Sequence, residues 1–273
     1  MKTTFLEDIL AALKPFNQER EQERQDIARY LAQVFVSLQR LTGPDLSLEI
    51  GAREATYSRT VRSVLPGAVP VVAFEGSPTT YAYYSKEMAL FHPGVQYLPL
   101  IVSDRDGQRD FLEFIAKKEK TNESSNVSAG LSSMIEGRVV PDYYDKKTVT
   151  GASVAGDTFL RGNFPEKKDI ALWIDVEGAQ DEVLRGFEDA FGQGRIASVL
   201  IEVESVKFWK QQAMLAPDVA AHMAARGMVA CFCDNQFIQQ YNAVYIRKDV
   251  LARHVKAIRK LADDYLACIR NIV

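Results

Sequence analysis

Hydrophobic positions at both ends of the chain recur with the period of an α-helix. Residues 1–41 place Phe5, Ile9 and Leu13 on one face, break at Pro15, and resume the period after the charged stretch QEREQERQD. We interpret that stretch as a solvated helical face. Residues 249–273 form a second amphipathic segment. We expect these terminal helices to flank a central domain, residues 42–248, and to pack on it or on a second subunit.

Within the central domain, short apolar runs alternate with helical patterns. The predicted strands are residues 46–50, 71–75, 95–102, 170–175 and 197–203, and the predicted helices are residues 56–65, 78–90, 179–190 and 217–226. Ser77 and Pro78 have the residue types of an N-cap and a first helical position. This alternation predicts an α/β fold with a doubly wound, mostly parallel sheet.

The end of the domain breaks the alternation. Residues 228–233 and 243–247 have strand character, and only DNQFIQQYN separates them. A parallel pair needs a dozen or more connecting residues, so we predict an antiparallel hairpin. A parallel sheet that closes in this way is unlike the usual nicotinamide-binding arrangement.

A long insertion, residues 104–157, separates the third and fourth predicted strands. It is rich in Ser, Asn, Lys and Tyr. Long excursions of this kind are typical of lids and binding loops. A mobile surface loop is the alternative.

Composition and charge narrow the class of protein. The net charge of −3 gives no overall basic field for nucleic acid. The three cysteines are too few for a disulfide framework, and Cys231 and Cys233 alternate in an apolar run that is typical of core packing. The N-terminus lacks a signal-peptide pattern, and no apolar run reaches the ~18 residues of a membrane span. We predict a cytoplasmic protein.

Acidic residues end the first two predicted strands. Glu49 stands two residues before Gly51, and Glu75 follows that glycine by 24 positions. A carboxylate at the end of the second strand, where Glu75 stands, typically binds ribose hydroxyls. A carboxylate just before the glycine, where Glu49 stands, would repel a phosphate. The G-x-G-x-x-G fingerprint is absent. These features favour a nucleoside with a cationic group, as in S-adenosylmethionine; the alternative is that both carboxylates cap the following helices.

A series of motifs resembles the FkbM-type S-adenosylmethionine-dependent methyltransferases. In chain order they are EIGAREATYS, VVAFEGSP, SDRDGQRDF, GLSSMIEG, VAGDTFL, IDVEGAQDEVLRG and VLIEVE. The resemblance covers about residues 46–247 and implies a class I, Rossmann-like methyltransferase fold that ends in an antiparallel hairpin. Two positions depart from the family pattern: Ala55 replaces a glycine, and Trp173 replaces a lysine that often precedes I-D-V-E-G.

The resemblance also implies a cofactor site. Glu49, Gly51 and Ala52 would line the methionine part of the cofactor, with Tyr57 and Ser58 nearby. Glu75 would hold the ribose. The residues expected around the adenine are Gly76, Ser77, Ser103 and Asp104.

Three carboxylates are candidates for catalysis. Asp175 ends the fourth predicted strand, where related folds place groups that face the transferred methyl, and Glu177 and Glu202 lie at the same sheet edge. We predict that Asp175 is the base or orients the acceptor. Carboxylates at Asp175 and Glu177, with Glu202 or Glu204, could instead hold Mg²⁺. Capping of the following helix is the remaining alternative.

Further residues are candidates for contact with the acceptor. Ser132 and Ser133 in the insertion could contact the acceptor or help close a lid. Lys207 and Trp209 could form a cationic and aromatic wall, with ordinary surface packing as the alternative. We therefore predict an O-methyltransferase that acts on a hydroxyl of a sugar, glycan intermediate or polyketide-like metabolite. The alternatives are a methyltransferase-like scaffold without turnover and a nicotinamide-dependent oxidoreductase.

Overall fold

The computed structural model describes residues 4–16, 19–117, 130–138, 142–237 and 239–272. The helices are α1 Thr4–Leu13, α2 Glu21–Thr42, α3 Thr56–Val64, α4 Pro78–Phe91, α5 Gly156–Asn163, α6 Gln180–Gly186, α7 Glu188–Gly192, α8 Ala216–Ala225 and α9 Lys248–Ile272. The strands are β1 Leu46–Ile50, β2 Val71–Phe74, β3 Gln96–Leu98, β4 Ile101–Ser103, β5 Gly107–Ala116, β6 Tyr144–Ala155, β7 Ile170–Ile174, β8 Ile196–Glu204, β9 Met228–Cys233 and β10 Gln240–Arg247.

A seven-stranded sheet forms the centre of the molecule, in the order β3-β2-β1-β7-β8-β10-β9. The strands from β3 to β8 are parallel, and β10 runs antiparallel to both β8 and β9. Every residue of β1 and of β8 is buried, because helices cover both faces of the sheet. The structure confirms the predicted α/β fold and its antiparallel closing hairpin.

The strand order reverses direction at β1. The chain proceeds from β1 to β2 and β3 on one side, then returns to β7 on the other side of β1. In open parallel sheets, such a switch point opens a crevice beyond the carboxyl ends of the strands. The ends of β1, β2 and β7 therefore define where a ligand would bind.

The predicted third strand is wrong in one respect, because residues 95–102 form two strands. β3 pairs with β2 in the main sheet, whereas β4 pairs with β6 in a separate sheet. Pro99 lies between them and has no N–H to offer a sheet ladder, so the strand cannot continue through it. The predicted helix 179–190 is likewise divided, into α6 and α7, at Phe187.

The insertion contains strands rather than only loop. β5 and β6 pair in antiparallel register over ten positions, and together with β4 they form a three-stranded sheet. Half of the residues of β6 are exposed and only Ser153 is buried, so its sequence lacks the apolar alternation that would have predicted a strand. The segments 118–129 and 139–141 of the insertion lie outside the described residues.

The terminal helices pack against the main sheet. Ile9, Phe35 and Ile258 belong to one buried cluster on the same side of the sheet as Phe232, and Tyr265 donates a hydrogen bond to the carbonyl of Cys233 at 3.0 Å. Cys231 and Cys233 are buried in that core, as their pattern indicated. Across the described residues, none of the helices is both long and apolar enough to cross a membrane.

Candidate functional site

The turn after β1 brings three strand ends into contact. Gly51 adopts a φ of 84°, and a Cβ atom at this position would lie 1.7 Å from the carbonyl oxygen of Asp175. The backbone N–H groups of Gly51 and Ala52 both donate to the carbonyl of Phe74, at 3.1 and 2.9 Å. The N–H of Asp175 donates to the carbonyl of Ile50 at 2.9 Å. Only glycine fits this junction of β1, β2 and β7.

Glu49 is buried beneath that turn. One of its carboxylate oxygens accepts a hydrogen bond from the backbone N–H of Ser58 at 2.8 Å, in the first turn of α3. Burial raises the pKa of Glu49 to about 8. The residue therefore caps α3, as the alternative interpretation held, and it also lines a large cavity.

Glu75 follows β2 and is also buried. Its two oxygens accept backbone hydrogen bonds from Arg53 at 2.7 Å and from Ser77 at 2.6 Å. Burial raises the pKa of Glu75 to about 7. The N-cap of α4 is Ser77, whose side chain accepts from the N–H of Thr80, so Glu75 is not needed for capping.

A small cavity lies beside Glu75 and has the form of an apolar slot. Its apolar walls come from both sheets and from the segment 130–138, and they comprise Phe74, Leu100, Ile101, Val102, Phe111 and Met134. Its polar lining includes Glu75, Ser77, Thr80 and Ser132. Apolar walls with a few polar groups are typical of a small-molecule binding site.

A larger cavity, of about 1030 Å³, adjoins the first. The two share Gly51, Arg53, Gly130, Asp175 and Glu177 as lining residues. The larger cavity is further lined by Glu49, Ala52, Tyr57, Trp173, Glu202, Phe208 and Gln240, and by four residues of α2, Arg29, Ala32, Gln33 and Val36. A ligand can therefore extend from the slot past Gly51 into this second space.

Three carboxylates meet where the cavities join. Oxygens of Asp175, Glu177 and Glu202 all lie within 4.8 Å of one another. Burial raises the pKa of all three: to about 6 for Asp175, to about 8 for Glu177, and well above the usual range for Glu202. Such a set has the donors and the spacing for a divalent cation. Buried carboxyl groups with raised pKa values in a cavity are also candidates for accepting or donating a proton.

Neighbouring side chains fix two of these carboxylates. The Nε2 of Gln240 donates to Glu202 at 2.6 Å. A guanidinium nitrogen of Arg138 contacts Glu177 at 2.6 Å, and the same guanidinium lies over the ring of Trp209, 4.6 Å from its centroid. Asp175 is the member of the three that lines both cavities and has no such fixed cation beside it among the described residues.

Glu177 is held in a conformation that few residues of its type adopt. Its φ is 50°, in the left-handed region, and the next residue, Gly178, has a φ of 86°. A Cβ on Gly178 would lie 2.5 Å from the Trp209 ring. Backbone strain of this kind, of order 1–3 kcal/mol, persists where surrounding structure imposes it and is common at functional sites.

Ser103 and Asp104, which were expected at the adenine edge, line neither cavity. The Ser103 hydroxyl is within 2.7 Å of that of Ser153, and Asp104 pairs with Arg109 at 3.1 Å and with Arg185 at 3.2 Å. Ser103 ends β4 and Asp104 follows it, and β4 belongs to the separate three-stranded sheet. Ile101 and Val102, earlier in the same strand, contact the slot instead.

Of the four residues predicted to contact the acceptor, only Ser132 lines a cavity. Ser132 lines the slot, whereas Ser133 is buried beside it and accepts a hydrogen bond from the N–H of Ile135. Lys207 is exposed and lines neither cavity. Trp209 is fully buried beneath Gly178, and the neighbouring Phe208 is the ring that lines the larger cavity.

The two departures from the family pattern have structural explanations. Ala55 has a φ of 54°, in the left-handed region that glycine adopts at lower cost. Trp173 packs against Tyr57, with ring centroids 4.4 Å apart, and both line the larger cavity. An aromatic wall therefore occupies the space in which the family pattern has a lysine.

Several lining residues were not predicted from the sequence. Phe111 and Arg138 come from the insertion, and Gln240 begins β10. Arg53 lines both cavities, and its φ of 46° belongs to the same strained turn as Gly51. The quoted motifs contained two of these residues, Arg53 within EIGAREATYS and Phe111 at the end of SDRDGQRDF; Arg138 and Gln240 lie outside them.

Comparison with known families gives a match to one domain. The family model described as "Methyltransferase FkbM domain" matches residues 49–230. The matched span begins at Glu49 and includes Gly51, Glu75, Asp175 and Glu202. A search of curated proteins finds no match.

Solved structures with a similar arrangement are methyltransferases of low sequence identity. The O-methyltransferase TomG from Streptomyces achromogenes, solved in complex with SAM, is 11% identical with a TM-score of 0.44; the alignment covers 82% of this chain and 89% of TomG. Precorrin-6y C5,15-methyltransferase from Geobacter metallireducens is 10% identical with a TM-score of 0.43, over 80% of this chain and 87% of that one. A putative caffeoyl-CoA O-methyltransferase from Staphylococcus aureus is 14% identical with a TM-score of 0.41, over 80% and 82%.

Proposed function

This chain belongs to the FkbM methyltransferase family, and we propose that it transfers a methyl group from S-adenosylmethionine to a hydroxyl of a sugar, glycan intermediate or polyketide-like metabolite. The observation that supports this most directly is the meeting of two cavities at Gly51 and Asp175. One cavity suits a nucleoside, and the other leaves room for an acceptor. The methyl group would cross between them.

The residues around the slot fit the adenosine part of the cofactor. The apolar walls formed by Ile101, Val102 and Phe111 would contact the two faces of the adenine. Glu75 would accept hydrogen bonds from the ribose hydroxyls, with Gly76 and Ser77 beside the base.

The methionine part would extend from the slot into the larger cavity. Its path would pass Gly51 and Ala52, where the absence of a side chain at Gly51 permits close approach of the backbone. The cationic amino group would lie beside Glu49 and would favour its ionised form, lowering the pKa that burial raises, and Tyr57 and Ser58 would lie nearby. We leave Ser103 and Asp104 out of the proposed site.

Methyl transfer to a hydroxyl requires the loss of one proton. The cofactor, when bound, supplies an electrophilic methyl group on its sulfonium. Asp175 lines both cavities, whereas Arg138 holds Glu177 and Gln240 holds Glu202, and the pKa of Asp175, raised by burial to about 6, still lies below neutral pH. Asp175 is therefore the proposed proton acceptor, and Glu177 and Glu202 orient the hydroxyl.

The larger cavity has the lining that a hydroxyl-rich acceptor needs. Trp173 and Phe208 offer ring faces for packing, and Gln33 and Gln240 offer amides for hydrogen bonds. Residues 130–138 cross beside the junction and bring Ser132 and Arg138 to the two cavities. These groups would position the acceptor and exclude water from the transfer.

The test of the proposed base is the variant Asp175→Asn. We expect it to bind S-adenosylmethionine normally and to lose at least about 100-fold in turnover, because general base catalysis contributes about 10²–10⁴-fold. The measurement is S-adenosylhomocysteine formation over a panel of sugar and polyketide-like hydroxyl acceptors, with matched amines in the same panel. Full turnover in Asp175→Asn would remove this residue from the mechanism, and methylation of amines alone would contradict the proposed acceptor class.

The same panel separates the alternatives. A methyltransferase-like scaffold would bind the cofactor without turnover on any acceptor. An oxidoreductase would bind a nicotinamide cofactor instead. A Mg²⁺ requirement at Asp175, Glu177 and Glu202 would appear as turnover that chelation abolishes; because Arg138 already provides a cation beside Glu177, we expect turnover to survive chelation. The cytoplasmic location remains a prediction.

A further inference from the structure

The outer face of α4 is unusually apolar for a surface helix. Leu90 is 73% exposed, Phe91 is 72% exposed and Tyr83 is 49% exposed. Among the described residues, Leu90 and Phe91 are the most exposed large hydrophobic side chains. We call Tyr83, Leu90 and Phe91 the α4 patch. Contiguous apolar surface of this kind typically marks an interaction site.

The sequence of α4 indicates a helix that is covered on more than one side. Of its 14 residues, only Lys86 and Glu87 are charged, yet only Thr80 and Met88 are buried within the chain. A surface helix normally carries charged and polar residues on its outer side, whereas the outer side of α4 carries Tyr83, Leu90 and Phe91 beside one Lys-Glu pair. The chain itself encloses α4 on one side only.

We propose that α4 packs antiparallel against α4 of a second copy of this chain, about a two-fold axis that passes between Lys86 and Glu87. In an antiparallel pair, residues at equal distances from the axis lie opposite each other. This register places Tyr83 opposite Leu90 of the second copy. It also places Lys86 opposite Glu87 of the second copy, and symmetry repeats each contact. The helix face is therefore complementary to itself in both charge and hydrophobicity.

The surroundings of α4 are compatible with such a pair. β3, the adjacent edge strand of the main sheet, is only three residues long and offers little unpaired backbone. Thr80, in the first turn of α4, lines the slot, whereas Leu90 lies ten residues further along the helix, about 15 Å away. The interface would therefore leave the proposed catalytic site open.

The terminal helices are less suited to this role. The apolar residues Phe35, Ile258 and Tyr265 of α2 and α9 are buried against the chain's own sheet. Their main apolar faces are therefore occupied, whereas three of the seven exposed large hydrophobic side chains among the described residues lie on α4.

Light scattering and sedimentation equilibrium on the full chain test the proposal. We expect the native protein to have the mass of a dimer, and Leu90→Asp to have the mass of a monomer. Leu10→Asp is the matched control, because Leu10 is an exposed leucine, 48% accessible, on α1. That variant should remain dimeric.

A charge exchange tests the register without placing a charge in the apolar contact. K86E should raise the dissociation constant at least tenfold, because it faces Glu87 of the second copy. The double variant K86E/E87K should return the dissociation constant to the native value, because it restores opposite charges across the two-fold axis. The Arg59 pair with Glu87, at 3.6 Å, is exposed and contributes little to stability. A monomeric native protein, a dimeric Leu90→Asp, or a dissociation constant unaffected by K86E would each overturn the proposal; circular dichroism checks that each variant is folded.

Discussion

Gly51 occupies a point at which two neighbouring strands leave no volume for a side chain. Its positive φ and the nearby Asp175 carbonyl act together, because the first favours glycine and the second excludes any Cβ atom. The same contact places Asp175 at the junction of the two cavities. A single backbone position thus determines both the local fold and the geometry of the proposed site.

We expect Gly51→Ala to destabilise the fold by more than about 2 kcal/mol and to abolish cofactor binding, because the added methyl must displace the end of β7. Gly67→Ala is the control: Gly67 has no atom within 4 Å of a Cβ position and lies in a turn after α3. Urea unfolding of both variants measures the difference. Equal free energies of unfolding for the two variants would show that the contact between Gly51 and the Asp175 carbonyl leaves room for a side chain.

At the scale of elements, the slot is formed jointly by the main sheet, by β4 and by β5 of the insertion. Phe111 on β5 faces the slot, whereas Phe114 on the same strand packs in a separate small cluster with Leu112. The insertion therefore contributes directly to cofactor recognition in the proposed function.

Replacing Phe111 or Phe114 with alanine distinguishes the contribution of β5 to the slot from its contribution to the stability of the insertion. Phe111→Ala should weaken S-adenosylmethionine binding about tenfold, because one wall of the adenine slot is lost. Phe114→Ala should lower the melting temperature but change the affinity much less. Calorimetric titration and thermal unfolding of both variants check this. A larger loss of affinity in Phe114→Ala than in Phe111→Ala would contradict the assignment of the slot.

The sequence predicted the elements whose pattern reflects burial. β1, β7 and β8 are predominantly apolar and almost entirely buried because both faces of the main sheet are covered, and the closing hairpin followed from a short connection. β6 could not be predicted, because only one of its twelve residues is buried and its register depends on pairing with β5. For the same reason Phe111 and Arg138 were missed: their contacts with the site depend on where the insertion folds back.

At the scale of the whole molecule, buried carboxyl groups make stability depend on pH. The pKa values are about 8 for Glu49, about 7 for Glu75 and Glu204, and about 6 for Asp234, and burial is the main cause in each case. Between the ordinary pKa of 4.5 for a glutamate and the raised value, the folded chain holds protons that the unfolded chain has lost. The free energy of unfolding therefore falls as pH rises through this range.

We expect the free energy of unfolding to decrease from about pH 5 to about pH 8, and Glu49→Gln to make that decrease shallower. Each unit of pKa shift corresponds to about 1.4 kcal/mol, so the change should be on the order of a few kcal/mol. Asp249→Asn is the control: the pKa of Asp249 is lowered to about 2 by Arg247, so its effect lies below this range. Urea unfolding across pH gives the slopes, and an unchanged slope in Glu49→Gln would contradict the buried position of this carboxyl.

The central claim is that Glu75 binds the ribose of S-adenosylmethionine in a slot at the end of β2. Calorimetric titration of the native protein and of Glu75→Ala with S-adenosylmethionine tests it most directly, with Glu75→Gln as a variant of similar size and thermal unfolding to verify that both are folded. The account predicts binding by the native protein, at least about tenfold weaker binding by Glu75→Ala, and an intermediate loss for Glu75→Gln. Unchanged affinity in folded Glu75→Ala, or no binding by the native protein, would contradict it.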